Sequence, residues 1–228
     1  MFVILPFEKE YYKRLKYEVF YVGHPLLDVL KNNERQKYKR EKLIALLPGS
    51  RDQEISKILP LMLTVVKYFK DYKFIICAAP SKTKLYYEKY IKKSYCNNIE
   101  IVENQTYNIL RKSSAALITS GTATLEAALI KTPQVVCYKS SWISFQIGKF
   151  LLKNLKFISL VNLILDKPAV TELIQQELTK NNIKEKLEHI LSLDGRNKIL
   201  NFYTDLENLL NKKGASKETA DKIINYHL

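Results

Sequence analysis

Short apolar runs alternate with amphipathic stretches along most of this chain, and from residue 43 onward the alternation becomes regular. An apolar run bounded by turn residues reads as a buried strand, and apolar residues at i, i+3, i+4 spacing read as a helix face. Strands alternating with helices predict βα units, and therefore an α/β fold with a Rossmann-like parallel sheet. The strands expected are 43–47 (LIALL), 73–78 (KFIICA), 99–102 (IEIV), 115–118 (AALI) and 134–138 (QVVCY). Helices are expected over 52–70, 81–93, 105–113 and from the Thr122 region to about Lys131. In the first of these, Ile55, Ile58, Leu59, Met62, Leu63 and Val66 share a face, and Pro60 predicts a kink or a division.

Outside this core the pattern changes. Residues 2–5 and 18–22 read as strands on either side of a short helix at 8–16. The stretch 31–42 (KNNERQKYKREK) is charged and has no apolar stripe, which predicts a linker. Residues 142–154, 171–178 (TELIQQEL) and 182–192 read as helices, followed by a polar tail.

The charge balance narrows the partners. Lys+Arg 37 against Asp+Glu 23 gives +14, but only six of the 37 are arginine. A surface built to read phosphates favours arginine forks, so a solvated lysine-rich surface is expected and no nucleic-acid partner. Cys77, Cys96 and Cys137 show no CxxC spacing, and His24, His189 and His227 are scattered, so no metal site and no disulfide framework are expected. Cys77 and Cys137 lie in apolar runs, as buried thiols of a reducing compartment do. No apolar run reaches the roughly 18 residues of a spanning helix. Residues 1–5 are too soon followed by Pro6 and charges to be a signal peptide, and a cytoplasmic protein is expected.

In open parallel sheets, ligands bind beyond the carboxyl ends of the strands. Two loops there carry suitable chemistry. Leu47-Pro48-Gly49-Ser50-Arg51 places a glycine where a ligand can approach the main chain, Ser50 or Asp52 as helix cap, and an arginine fork for an anion. Ser120-Gly121-Thr122-Ala123-Thr124-Leu125-Glu126 sets backbone N–H groups and a helix end at one point, suited to a diphosphate. Glu126 lies about one turn beyond Thr122, where a carboxylate can accept both hydroxyls of a ribose. The plain alternatives are an ordinary βα turn for the first loop and a helix-capping motif for the second. No GxGxxG, GxxxxGK[ST] or GxSxG string is present, so NAD, P-loop ATP and esterase readings lack support and no cofactor is expected.

These residues, taken in order, resemble lipid-A-disaccharide synthases. ILPFEKEYY at 4–12, YVGHPLLD at 21–28, LPGSR at 47–51, SGTATLE at 120–126, VVCYK at 135–139 and the stretch from Ser159 through Asn162 to ELIQ at 172–175 carry the resemblance, which covers about 1–195. It implies the second half of a two-Rossmann glycosyltransferase (GT-B). The plan implied is a remnant of the acceptor domain at 1–30, a linker at 31–42, a UDP-sugar-binding domain at 43–195 and a helical tail at 196–228. The activity implied is transfer of 2,3-diacylglucosamine from its UDP form to lipid X, with inversion and without metal. Gly49, Ser50 and Arg51 would lie beside the phosphates, Ser120, Gly121, Thr122 and Ala123 would hold the diphosphate, and Glu126 the ribose. Asn162 would sit near the donor sugar or phosphates, with Tyr138 and Lys139 secondary. Homodimerisation, or a separate first half, and peripheral contact with the inner membrane would follow.

The departures matter. Val161 stands where the family often has proline, and Lys139 where arginine is common, losing the bidentate fork. The family's general base is a carboxylate of the first domain, for which no residue here can be named. Two other readings stand beside this one: another UDP-sugar GT-B enzyme, such as an epimerase or transferase, and a non-catalytic nucleotide-binding remnant. Residues 142–151 also read two ways. Ile143, Ile147, Phe150 and Leu151 share a face flanked by Lys149 and Lys153, suiting either packing on the sheet or contact with acyl chains.

Overall fold

The computed structural model describes residues 1–31, 39–91, 98–140, 156–212 and 214–226. The chain opens with β1 (Phe2–Val3), α1 (Pro6–Arg14), β2 (Phe20–Tyr21) and α2 (Pro25–Lys31). β1 and β2 pair in parallel, Phe2 beside Phe20 and Val3 beside Tyr21. α1 begins where its sequence dictates. Pro6 has the fixed φ of a first helical residue, and the Glu8 carboxylate accepts from the N–H groups of Ile4 (3.0 Å) and Leu5 (2.8 Å). The PFEK string is therefore a helix start.

The sheet that follows has six parallel strands: β3 (Glu41–Leu47), β4 (Lys73–Cys77), β5 (Ile99–Val102), β6 (Ser113–Thr119), β7 (Gln134–Tyr138) and β8 (Thr171–Ile174), in the order β5-β4-β3-β6-β7-β8. Between and after them run α3 (Asp52–Leu63), α4 (Lys84–Glu88), α5 (Thr106–Lys112), α6 (Thr122–Leu129), α7 (Leu160–Leu165) and α8 (Lys180–Leu191). Ile44, Ala45 and Leu46 of β3 and Ala115 to Ile118 of β6 are all buried. Successive strand residues face opposite ways, so both faces of the sheet are covered, and this explains why these strands are continuous apolar runs. The chain winds outward from β3 to β5, then returns to lay β6 against the other side of β3, with Leu47 beside Ile118. Strand order reverses there, and the loops after β3 and β6 open side by side.

Four expectations change, one of them the helix expected over 81–93, which shortens to Lys84–Glu88. Residues 171–178 form β8 and a 3₁₀ turn (Gln175–Glu177), where a helix was expected. TELI has no strand alternation of its own, and pairing of Leu173 with Cys137 and Ile174 with Tyr138 decides it. The helix expected over 52–70 ends at Leu63 and is followed by a separate turn at Val66–Tyr68. It continues through Pro60, which lies on the exposed side with Ser56, so the carbonyl that loses its donor there faces water. β3 starts at Glu41, inside the stretch read as a linker. The helix read at 142–154 lies outside the described residues.

The chain ends in α9 (Leu193–Leu209) and α10 (Ala215–Tyr226). Packing groups Met1–Lys37 with Phe202–Leu228 in one unit and Tyr38–Asn201 in another. In the smaller unit the Lys212 ammonium donates to the Tyr21 carbonyl (2.6 Å) and pairs with Glu218 (2.8 Å), while the Gly214 N–H donates to Asp28 (2.8 Å). Gly23 has φ +92°, and a Cβ there would fall 2.4 Å from the Lys212 carbonyl oxygen. The glycine of the GHP string thus serves close chain approach.

Candidate functional site

The strand-order reversal puts the β3–α3 and β6–α6 loops at the mouth of a cleft of about 410 Å³. Gly49, Ser50, Arg51 and Glu54 line one side, and Thr119, Ser120, Gly121, Thr122, Ala123 and Glu126 the other. Cys77, the last residue of β4, Ala78 to Pro80 after it, and Thr106, opening α5, complete the lining.

Gly49 has φ +100°, and a Cβ there would sit 2.6 Å from Glu54 Oε2 and 3.4 Å from Thr119 Cγ2. The space that Gly49 leaves is therefore used by Glu54. Its carboxylate takes the N–H groups of Ser50 and Arg51 (both 3.4 Å) and pairs with the Arg51 guanidinium (2.9 Å). Glu54 thus caps α3, the role that sequence reading assigns to Ser50 or Asp52. Asp52 is engaged elsewhere, with Lys82 at 2.7 Å. A carboxylate already stands at the positive end of α3, and Arg51, its side chain 81% exposed, extends past it.

The start of α6 differs. Gly121 has φ +155°, a conformation nearly closed to other residues, and nothing lies within 4 Å of where its Cβ would be. The N–H groups of Gly121, Thr122 and Ala123 make no hydrogen bond among the described residues. Thr124 Oγ1 donates to the Gly121 carbonyl (2.8 Å), and Ser120 Oγ to the Ile158 carbonyl (2.8 Å), tying the loop to itself and to a distant segment. An anion placed here meets free amides and the helix dipole.

Glu126 lines the cleft about one turn further along α6. Burial pushes its carboxyl above the ordinary carboxylate range, and the Tyr107 phenol, donating at 3.2 Å, pulls it part of the way back. Burial also pushes the Cys77 thiol up to about 12, so this cysteine is a neutral wall of the cleft. Thr119 Oγ1 is buried and has no hydrogen-bond partner among the described residues. Chemically, the cleft can hold an anionic group at the α6 end and a diol against Glu126.

The structure brings together Gly49, Ser50, Arg51, Ser120, Gly121, Thr122, Ala123 and Glu126, and it leaves Asn162, Tyr138 and Lys139 out of the cleft wall. The buried Asn162 amide donates to the Val170 carbonyl and to Glu172 (both 2.9 Å) and accepts from the Val170 N–H (2.9 Å). Glu172 also takes the N–H groups of Ile158 (3.0 Å) and Ser159 (2.9 Å) and the Ser159 hydroxyl (2.6 Å). Asn162 and Glu172 therefore hold the 158–159 segment whose carbonyl receives Ser120. Sequence reading missed Glu54, Thr106, Tyr107 and Thr119 as site residues. Glu54, three residues past Arg51, carried a capping signal; Tyr107 and Thr119 carried none. Among the described residues no group of three or more His, Cys, Asp or Glu is placed to hold a metal, and no helix is long and apolar enough to cross a membrane.

The family model described as lipid-A-disaccharide synthetase matches residues 1–224. Lipid-A-disaccharide synthases of Francisella tularensis subsp. novicida and subsp. tularensis are each 39% identical, over 85% of this chain and 55% of theirs. The chain thus spans about half the length of the curated relatives it matches. Among solved structures, a UDP-N-acetylglucosamine 2-epimerase superposes with TM-score 0.61 at 15% identity, over 99% of this chain and 57% of that one. The glycosyltransferase SnogD from Streptomyces nogalater gives 0.51 at 19%, over 84% and 45%. At such identities the two structures speak for a shared fold.

Proposed function

The chain belongs to the lipid-A-disaccharide synthetase family, and on that premise we propose that its cleft holds the UDP part of a UDP-linked sugar. The reaction proposed for the whole enzyme is transfer of 2,3-diacylglucosamine from its UDP form to lipid X, giving lipid A disaccharide 1-phosphate and UDP. The observation that carries this reading is the start of α6, where unengaged amides stand one turn from a half-buried carboxylate. The diphosphate would sit on the N–H groups of 121–123, with Arg51 reaching from across the cleft. Glu126 would accept the ribose hydroxyls.

Such a site also does chemical work. When the glycosidic bond to UDP breaks, charge builds on the departing phosphate, and preorganised amides stabilise that charge without rearranging. Ser120 would be held in place by Ile158, and through it by Glu172 and Asn162, so the role proposed for Asn162 is indirect. Tyr138 and Lys139, at the end of β7, would act outside the diphosphate pocket. The base that removes the acceptor's proton is assigned to the part of the relatives that this chain does not span. Acylated substrates call for peripheral contact with the inner membrane from the cytoplasmic side, and a homodimer remains part of the proposal.

Calorimetric titration of the chain with UDP is the test. Saturable binding is expected, and its absence at about 1 mM, an affinity of about −4 kcal/mol, would overturn the proposal. Glu126→Ala should weaken UDP while leaving inorganic pyrophosphate unchanged; equal loss for both would remove the ribose role. Mass spectrometry with UDP-2,3-diacylglucosamine against UDP-N-acetylglucosamine tests the donor.

A further inference from the structure

We propose that Tyr107 is a positioning residue for the sugar part of the nucleotide, holding the Glu126 carboxylate so that it can accept a ribose hydroxyl. The inference rests on reading the cleft as a uridine-nucleotide site and assigns a task to a residue outside the motif loops. α5 begins at Thr106, whose side chain lines the cleft, so the next residue is carried to the flank of α6. There the Tyr107 phenol donates to Glu126 Oε1 at 3.2 Å. Among the described residues no other hydrogen-bond donor to the Glu126 carboxylate is found.

A half-buried carboxylate with a single neutral donor is a poised acceptor. The bond is long for a phenol–carboxylate contact, so the carboxylate's charge is only partly satisfied. A ligand diol adds donors at a group whose rotamer is already restrained, and little order is lost on binding. Tyr107 is suited to this because its proton stays in place: burial, then the adjacent Glu126, push its phenol up to about 12. Other titratable groups around the carboxylate are Arg111, which acts on Tyr107 from α5, the neutral Cys77 from β4, and the paired Arg51 and Glu54 across the cleft. Tyr107 is the one among them that bonds Glu126.

The experiment compares UDP with 2′-deoxy-UDP in wild type and Tyr107→Phe, by calorimetry across a range of pH. The ratio of the two affinities cancels the titration of the phosphates and isolates the sugar hydroxyl. Loss of one hydrogen bond to a charged group predicts at least about tenfold weaker UDP binding in the variant, with a smaller loss for 2′-deoxy-UDP, which keeps one of the two hydroxyls. Preference for UDP should also fade at a higher pH in the variant as the solution is acidified, because the carboxylate has lost the donor that favours its ionised form. In a Glu126→Gln background, Tyr107→Phe should leave the ratio unaltered. If wild type prefers UDP and Tyr107→Phe keeps both that preference and its pH profile, the inference fails while the nucleotide site stands. Equal weakening of both nucleotides would mark Tyr107 as merely structural and also overturn the inference. If wild type does not bind UDP at all, the proposed function fails and this inference goes with it.

Discussion

Arg40 donates to the carbonyls of Leu110, Ser113, Ile130 and Lys131 and to Thr132 Oγ1. Its fork gathers the ends of α5 and α6 at the amino-terminal edge of the sheet, where helix carbonyls lack partners and the dipole favours a cation. Arg40→Ala should lower stability by about 2–4 kcal/mol in chemical denaturation, and Arg40→Lys should recover less than half, since an ammonium cannot reproduce the planar fork. Glu126 makes the opposite case. Burial raises its folded pKa above the unfolded one, so the native state binds more protons between the two values, and stability falls as pH rises through that window. Glu126→Gln should therefore raise the melting temperature at neutral pH, with the gain vanishing in acid where the carboxyl is protonated, while UDP affinity falls. Asn162→Ala should cost about 1–3 kcal/mol, because it strands the Val170 N–H and carbonyl in a buried place. An unchanged denaturation midpoint would contradict the internal role given to Asn162.

Among the elements, α3 carries a fault that it tolerates. Pro60 removes one backbone donor from the helix interior, on its exposed side. Pro60→Ala should restore the bond and stabilise the chain by about 1–3 kcal/mol, read as a shift of the guanidinium midpoint. No effect would mean that the local geometry has already absorbed the loss. β8 shows the reverse relation between sequence and element. Its four residues carry no strand signal that outweighs a helical reading, and the open edge of β7 decides their conformation. Glu172, on this strand, then collects the 158–162 segment. The SGTATLE string became a short loop and α6 as its residues suggest, because a glycine at φ +155° and a helix start are local properties.

For the whole molecule, the governing fact is that the chain spans 55% of the relatives it matches. The purified chain is expected to bind UDP weakly and to transfer no sugar. Disaccharide formed by the chain alone, detected by mass spectrometry, would refute this. The +14 charge fits a lysine-rich solvated surface. UDP affinity should nonetheless weaken with added salt, as for any diphosphate held beside an exposed arginine.

What the sequence determined by itself is the βα rhythm, the parallel sheet and the two loops that meet at the cleft. Hydrophobic period, glycine placement and helix starts are written over a few adjacent residues, and each can be read where it stands. What only the tertiary structure decided are pairings between residues far apart in the chain. These are Tyr107 on Glu126, Arg40 on the ends of α5 and α6, β8 against β7, and Asn162 locked to Val170 and Glu172 away from the cleft wall. Even Glu54, only five residues from Gly49, fits because the glycine's missing side chain leaves room for its carboxylate. The return of the chain from β5 to β6 creates the first two of these pairings, and no local pattern encodes which side chains that crossing will bring together.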